Sequence, residues 1–517
     1  MKPKNVHGIS LYASHGAFPL IFIIFVLLYA GIIWKPRIYP FTDVPNHLGI
    51  ATIYRHYGEE DNHFKQFYTI NPAFKPNTFH IFFCSMEIFP SVEYGNKVFF
   101  CLYAVLLPFS VLGVIKKYGG NPWFSLLSFL FLFNYNVSYG FVGYTIAIPF
   151  LLVLVSLVPG YLKCRSPYAA FAIAALLLLL FFMHTLMALF ALFFFMSCTT
   201  YCSRNSLKHI LLNTAVALPA AIFILAWWRI DTAEFGDRTI AQALLDYYLH
   251  DYRNSLRLRG GLFILDNYAL FEGLRGQLTA AGFSLFTILA ILTAKLSNKT
   301  RTDQKAYDTA MVAAIIFLSC ALACFFFIPL SLPGYGFLVQ RFSVLFFLAC
   351  IILGSMLAAT HIHGMLKVCI CFTVLIHALC WQDYMQDFNT LNRSFSKKLF
   401  ETCDSSKVLT GLVFDNHFRG RPIYKQCADY YIVWQKGIAA TRLIDERSFC
   451  LRRRNEWEGI SPYIDHGDYK DIDRLDGISY ILVRGEIPES SKKIFGRYFL
   501  KKPSGMWALF QEVNSAM

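Results

Sequence analysis

The chain has 517 residues, 56% of them hydrophobic and 15% charged, with 51 phenylalanines and a formal net charge of +14. Soluble domains carry about 25% charged residues, so this composition excludes a soluble globular enzyme; apolar runs of about 20 residues, each long enough to cross a hydrocarbon core, make it a polytopic α-helical membrane protein rather than a β-barrel of short alternating segments. The positive balance does not argue for nucleic acid, because lysine and arginine collect in the cytoplasmic loops of membrane proteins.

The first eight residues, "MKPKNVHG", are short and basic and are expected in the cytoplasm. The apolar run at 18–34 lacks an A-x-A-like cleavage site and reads as a retained helix. A polar outer loop follows over about 35–96. It opens with "YPFTDVPNHLGIATIYRHYG" from Tyr39 and contains "NPAFKPNTFHIFFCSMEIFP", whose apolar spacing suggests a helix at the membrane surface. The second span, 98–115, returns to Lys116 and Lys117. Next comes "WFSLLSFLFLFNYNVSYGFVGYTIAIPFLLVLVSL", two spans joined at "NYNVSYG". Its first arm is short for a crossing, so the turn is expected below the outer surface, facing protein or a water-filled cavity.

After Lys163 and Arg165 inside, "YAAFAIAALLLLLFFMHTLMALFALFFFMSC" is a second hairpin with His184 and Thr185 near its outer bend. Arg204 and Lys208 follow inside, then a helix at 209–228 and a long outer loop at about 229–277 carrying "DYYLHDYRNSLRLRGG". Three further spans end before "AKLSNKTRTDQK", at "FIPLSLPGYGFLVQR" and near residue 361, and the last covers 366–381. The basic short loops all fall on one side, which gives about 11 transmembrane helices, N-terminus in and C-terminus out. The transmembrane domain is thus 1–381. From 382 the composition turns soluble: "KVLTGLVF", "YILVRG" and "WALFQEV" read as strands and "YKQCADYYIVWQ" as a helix, a small extracytoplasmic α/β domain over 382–517. Most of the 14 cysteines lie in apolar runs and read as small buried hydrophobes. The three in the tail, Cys403, Cys427 and Cys450, leave an odd count, so no disulfide is assigned.

Asp43 is the leading chemical candidate. A carboxylate at a membrane boundary is costly unless solvated, paired or used, and a low-dielectric wall raises its pKa toward that of a general base. It also stands just ahead of Pro45, where it would serve as a helix cap. Asn46 and His47 follow on the same segment; His47 would orient a hydroxyl or contact a phosphate. Asp43 with His47 is compatible with a divalent metal, but two ligands do not define one, and no cofactor is expected to be required. Arg341 stands at the outer end of its span, against the positive-inside bias, where a guanidinium either clamps a lipid phosphate or snorkels to the interface. His184 is either a site residue or a satisfied buried histidine. Arg253 and Arg257, four apart in the basic loop that also holds Arg259, would bind anionic headgroups or a diphosphate, or form a solvated face. There is no GxGxxG after a strand, no Walker loop and no HExxH.

The order of parts resembles the GT-C class of integral-membrane glycosyltransferases, which includes protein O-mannosyltransferases, aminoarabinose transferases of lipid A and oligosaccharyltransferases. The likeness rests on an aspartate in the first outer loop directly after the first helix, many spans, and a C-terminal outer α/β domain. The blocks "DVPNHL", "NYNVSYGFVGYT", "FFMHTLMALF" and "PGYGFLVQRF" look like those of bacterial members. The acidic pair or D-x-D of several GT-C families is absent around Asp43. The resemblance implies a polyprenyl-phosphate (lipid-linked) sugar donor, a glycan, lipid or protein acceptor, and Asp43 as the base for an inverting transfer. Arg341, Asn46, His47, His184, Arg253 and Arg257 would then attend the lipid phosphate and the substrates. It also implies a bacterial inner (plasma) membrane location. Three other classes stay open at this point, one of them a non-catalytic assembly scaffold whose outer domain binds a partner. A lipid-linked saccharide flippase would favour repeated halves and midplane polar groups, which the sequence lacks. A glycan ligase or polymerase would suit the arginine-rich outer loop.

Overall fold

A computed structural model describes residues 16–70, 75–232, 240–265, 273–292, 304–331, 336–358, 362–442, 450–464, 469 and 474–513. The first apolar run forms α1 (Phe18–Trp34). Its exposed Leu20, Ile23, Ile24 and Leu27 lie at i, i+3, i+4 and i+7, while Phe22, Phe25 and Tyr29 turn inward. Both faces are apolar, as a helix between lipid and protein requires. Among the described residues seven helices are long and apolar enough to cross a membrane, and three shorter apolar helices accompany them. The long ones include α4 (Val92–Lys117), α5 (Val142–Cys164), α7 (Thr185–Ser203), α8 (Leu207–Thr232), α11 (Gln304–Phe327), α12 (Gln340–Leu357) and α13 (Gly364–Leu391). The shorter ones are α1, α6 (Pro167–Met183) and the apolar part of α10 (Gly273–Leu292). Between α1 and α4 the chain folds into α2 (Val44–His56), the short strand β1 (Tyr68–Ile70) and α3 (Phe79–Ser85).

The expected third α-helical span needs correction. Residues Pro122–Phe131 form a 3-10 helix, and all ten are buried. Ten α-helical residues would rise about 15 Å; 3-10 winding stretches the same residues to about 20 Å. The segment starts near the C-terminal end of α12, where Asn121 N–H donates to Ser355 O at 2.9 Å. It leads to the layer of Asp43, whose N–H donates to Tyr139 O at 3.0 Å. The chain thus makes a long passage from few residues. With no lipid-facing side, its serines turn inward: Ser125 and Ser128 hydroxyls donate to Pro122 O and Ser125 O at 2.7 and 2.6 Å, as polar side chains in an apolar core must.

The last long apolar helix, α13, continues to Leu391, beyond the change in composition at 382. The tail then builds a five-stranded sheet from β2 (Val408–Val413), β3 (Ile438–Ala439), β5 (Tyr480–Arg484), β6 (Tyr498–Ser504) and β7 (Trp507–Glu512), in the order β3-β2-β5-β7-β6. The β3–β2–β5 part is parallel and the β5–β7–β6 part antiparallel. β2 and β5 are buried along their whole length, which matches their continuous apolar runs. A further strand of the tail, β4 (Leu451–Arg453), leaves this sheet and pairs antiparallel with β1 of the loop between α1 and α4. Trp457 Nε1 donates to Phe67 O at 3.1 Å beside that ladder. Two segments nearly 400 residues apart in sequence are therefore sewn together above the bundle.

Arg259 lies on α9 (Tyr252–Leu265). The sequence groups it with the exposed loop cations; instead it is fully buried. Its guanidinium donates to Phe325 O, to Ile328 O at 2.7 Å and to Tyr247 Oη at 2.5 Å, satisfying carbonyls that the C-terminal end of α11 leaves open. Each such carbonyl left unpaired in a buried site costs about 1–3 kcal/mol. Arg259→Ala is expected to lower the thermal midpoint of the detergent-solubilised protein clearly, whereas the exposed Arg253→Ala and Arg257→Ala leave it unchanged. Equal shifts in all three would contradict this anchoring.

Candidate active site

The site is assembled around the turn that follows the 3-10 segment. A short helix at Tyr135–Tyr139 ends at Gly140, whose φ of +92° is left-handed. Gly140 N–H closes back on Asn136 O and Val137 O at 3.1 Å each. A Cβ on Gly140 would lie 2.8 Å from the backbone N of Asp43, so only glycine permits both the turn and the approach of Asp43. Three residues on, a Cβ on Gly143 would lie 2.4 Å from Met183 O. Glycine there lets the first turn of α5 press against the end of α6, and His184 occupies that junction. His184 is extended, with φ −167° and ψ 120°, and separates α6 from α7.

Arg341 opens toward this junction. One guanidinium nitrogen is 2.6 Å from His184 Nε2, and its carbon sits 4.2 Å above the Phe141 ring, a cation–π distance. Tyr144 Oη donates to Arg341 O at 2.5 Å, and the Tyr144 ring meets His184 edge-on at 5.2 Å. Arg341 is therefore drawn inward onto His184 and Phe141. His184 Nδ1 also lies 3.2 Å from Leu186 N–H as the cap of α7. A neutral imidazole accepts at one nitrogen only, so the helix cap and the guanidinium compete for one lone pair. An anion that took over Arg341 would release the ring to its cap.

Asp43 is half-buried at the start of α2, and its side chain makes no capping hydrogen bond. Asn46, one turn on, is buried and points at the C-terminal domain. Its amide donates to Asp429 Oδ2 at 2.5 Å and to Thr441 Oγ1 at 2.9 Å. Asp429 precedes α14 (Tyr430–Gln435) and is fully buried. Burial pushes its carboxyl up to about 8, offset by the Asn46 hydrogen bond and Arg453 and reinforced by the nearby charge of Asp43. The second acid that is absent around Asp43 in sequence is therefore supplied in space by the tail.

His47 is buried and meets His80 edge-on at 5.6 Å. Burial pushes His47 down to about 3 and His80 to about 4, so at neutral pH they supply hydrogen bonds and shape but no charge. Lys75, which sequence reasoning passed over, is buried in the same outer loop. Two residues later the loop turns at Asn77, with φ +63°, and its Cα lies 4.0 Å from where a Gly143 Cβ would be. Arg253 and Arg257 are exposed on α9 and make no hydrogen bond or ion pair among the described residues. The structure thus brings Asp43, His184 and Arg341 to the 138–144 turn, turns Asn46 toward Asp429 and His47 toward His80, and does not bring Arg253 and Arg257 into that network. Among the described residues no group of three or more His, Cys, Asp or Glu side chains forms a metal-binding cluster.

The architecture is a GT-C-like fold, an apolar helical bundle with a docked α/β domain. The solved structure that shows this is ArnT from Cupriavidus metallidurans bound to undecaprenyl phosphate, with a TM-score of 0.55, 11% sequence identity, and coverage of 97% of this chain and 99% of that one. No family model and no curated protein sequence matches. At that identity the likeness speaks for the fold, and chemistry has to be argued from this chain's own side chains.

The raised pKa of Asp429 has a measurable consequence. The folded protein holds a proton there that the unfolded chain has lost, so stability falls as pH rises from about 4 to about 8. One proton supplies at most about 1.4 kcal/mol per pH unit. In thermal melts across this range, Asp429→Asn is expected to flatten the pH dependence and gain relative stability at the alkaline end. Parallel curves for the two proteins would show that Asp429 is already ionised in the folded state.

Proposed function

We propose that this chain is a membrane glycosyltransferase that moves a hexosyl or pentosyl group from a polyprenyl-phosphate sugar to an acceptor hydroxyl on the extracytoplasmic face. The observation behind this reading is the 138–144 turn, which has a carboxylate without a capping bond on one side, Asp43, and an inward-drawn guanidinium on the other, Arg341. ArnT, which shares the fold, is bound to undecaprenyl phosphate, and that supports a lipid phosphate as the donor's leaving group.

In the proposed reaction the acceptor oxygen attacks the anomeric carbon and its proton passes to Asp43. The bond from that carbon to the phosphate oxygen breaks, and the electron pair stays on the phosphate. Arg341 offsets the developing charge, as preorganised cations do. His184 holds the guanidinium in the resting site and returns to capping α7 when phosphate arrives. Asp429, protonated at neutral pH, spares Asp43 the cost of a second like charge, and Asn46 fixes the distance between the two acids. A single displacement inverts the anomeric configuration. Lys116, Lys117, Lys163 and Arg204 lie at helix ends on the side away from the α/β domain, which supports an outward-facing domain.

Two substitutions test this. Arg341→Lys keeps charge but loses the planar fork and the stacking on Phe141, so it is expected to retain more use of the lipid donor than Arg341→Ala. Unchanged donor dependence in Arg341→Ala would remove Arg341 from the phosphate. Asp43→Asn keeps size and would cap a helix equally well. It is expected to leave expression and melting temperature intact while cutting transfer by about 10²–10⁴-fold, the usual cost of losing a general base. Near-normal transfer by the purified variant, given a polyprenyl-phosphate sugar and its acceptor, would exclude Asp43 as the base.

A further inference from the structure

A second cationic recess, which shares no lining residue with the Asp43–Arg341 corner, lies where α1 ends and α13 rises toward the α/β domain. It is a cavity of about 380 Å³ whose walls include Lys35, Arg37, Gln382, Met385, Gln386 and Arg393, and none of its lining residues is acidic. Nearby acids are engaged elsewhere. Asp383 and Asp387 pair with Arg419, and Glu93, whose charge is felt at Arg37, accepts from Trp434 Nε1 at 2.9 Å. Arg37 is held in place: its guanidinium donates to Asn392 O at 2.8 Å, and its backbone N–H donates to Asn389 Oδ1 at 2.9 Å. That contact uses one of the five donors of a guanidinium.

The setting is that of a lipid head rather than a soluble anion. The helices below are joined by Tyr29 Oη, which donates to Val374 O at 3.2 Å. Both present apolar side chains outward, Leu20, Ile24 and Leu27 on α1 and Phe372, Leu375 and Leu379 on α13. The cations therefore crown a seam between two lipid-facing helices, at headgroup depth. We propose that this recess holds the phosphate of an anionic membrane lipid, with its acyl chains along α1 and α13, as a site separate from the transfer corner. Two guanidinium groups and an ammonium match phosphate oxygens in charge and geometry, and cations at the membrane surface each add to the attraction for anionic lipid.

The test uses the full-length protein in detergent, titrated with phosphatidylglycerol, with phosphatidylcholine and with inorganic phosphate as competitor, and read by native mass spectrometry. The double variant Lys35→Gln/Arg393→Gln leaves Arg37 in place, because Arg37 also fastens the backbone at Asn392. Phosphatidylglycerol is expected to bind in preference to phosphatidylcholine, and the double variant to weaken it by about tenfold or more. Lys397→Gln/Lys398→Gln, an equal loss of exposed charge, is expected to change nothing, and inorganic phosphate to displace nothing. Equal weakening by the two double variants would reduce the effect to surface charge and overturn the proposal. So would equal binding of the two lipids, or displacement by inorganic phosphate at matched concentration.

Discussion

The backbone contact between Gly140 and Asp43 is the constraint on which the rest of the site depends. At 2.8 Å from a hypothetical Cβ to the Asp43 nitrogen, no other residue fits without moving the start of α2. That contact fixes α2 against the turn, and α2 in turn fixes Asn46 against Asp429 at 2.5 Å. On the other side, Phe141 and Gly143 hold Arg341 and His184. Two small residues let three hairpin ends and one outer-loop helix meet within a few side chains. Their lack of a Cβ is what makes the meeting possible, at the usual entropic cost of glycine.

The two acids belong to different parts of the chain, and this links chemistry to domain docking. Asp43 is half-buried in the loop between α1 and α4, while Asp429 is sealed inside the tail and kept protonated by burial. The charge of one is felt at the other because α2 lies on Asp429 and Ile432 of the tail and because β1 pairs with β4. The tail is thereby a structural part of the site. A charge change at Asp429 would be felt at Asp43 through a low-dielectric interior, where pair interactions far exceed those in water.

How much of this was legible depended on whether the signal was local. The apolar runs announced most of the helices because a span is a contiguous stretch, and α2 was signalled by Asp43 ahead of Pro45. The passage at Pro122–Phe131 announced only its shortness; that it stretches by 3-10 winding depends on its being buried on every side. Asp429 gave no sign in "YKQCADYYIVWQ" beyond being an acid among residues that read as core, since its partners lie about 380 residues away. Arg259 could not be told from Arg253 and Arg257 by spacing, because only the fold shows that it alone turns into the end of α11. The inward pull on Arg341 was likewise invisible, as His184 comes from a hairpin 157 residues upstream.

The central claim is that one corner, bounded by Asp43 on one side and Arg341 with His184 on the other, receives the lipid phosphate. An experimental structure of the protein with polyprenyl phosphate bound tests it most directly. The account predicts the phosphate against the Arg341 guanidinium, the His184 contact released, and a non-bridging phosphate oxygen, the one that would carry the sugar, facing Asp43. Polyprenyl phosphate lodged elsewhere, with Arg341 still on His184, would contradict it.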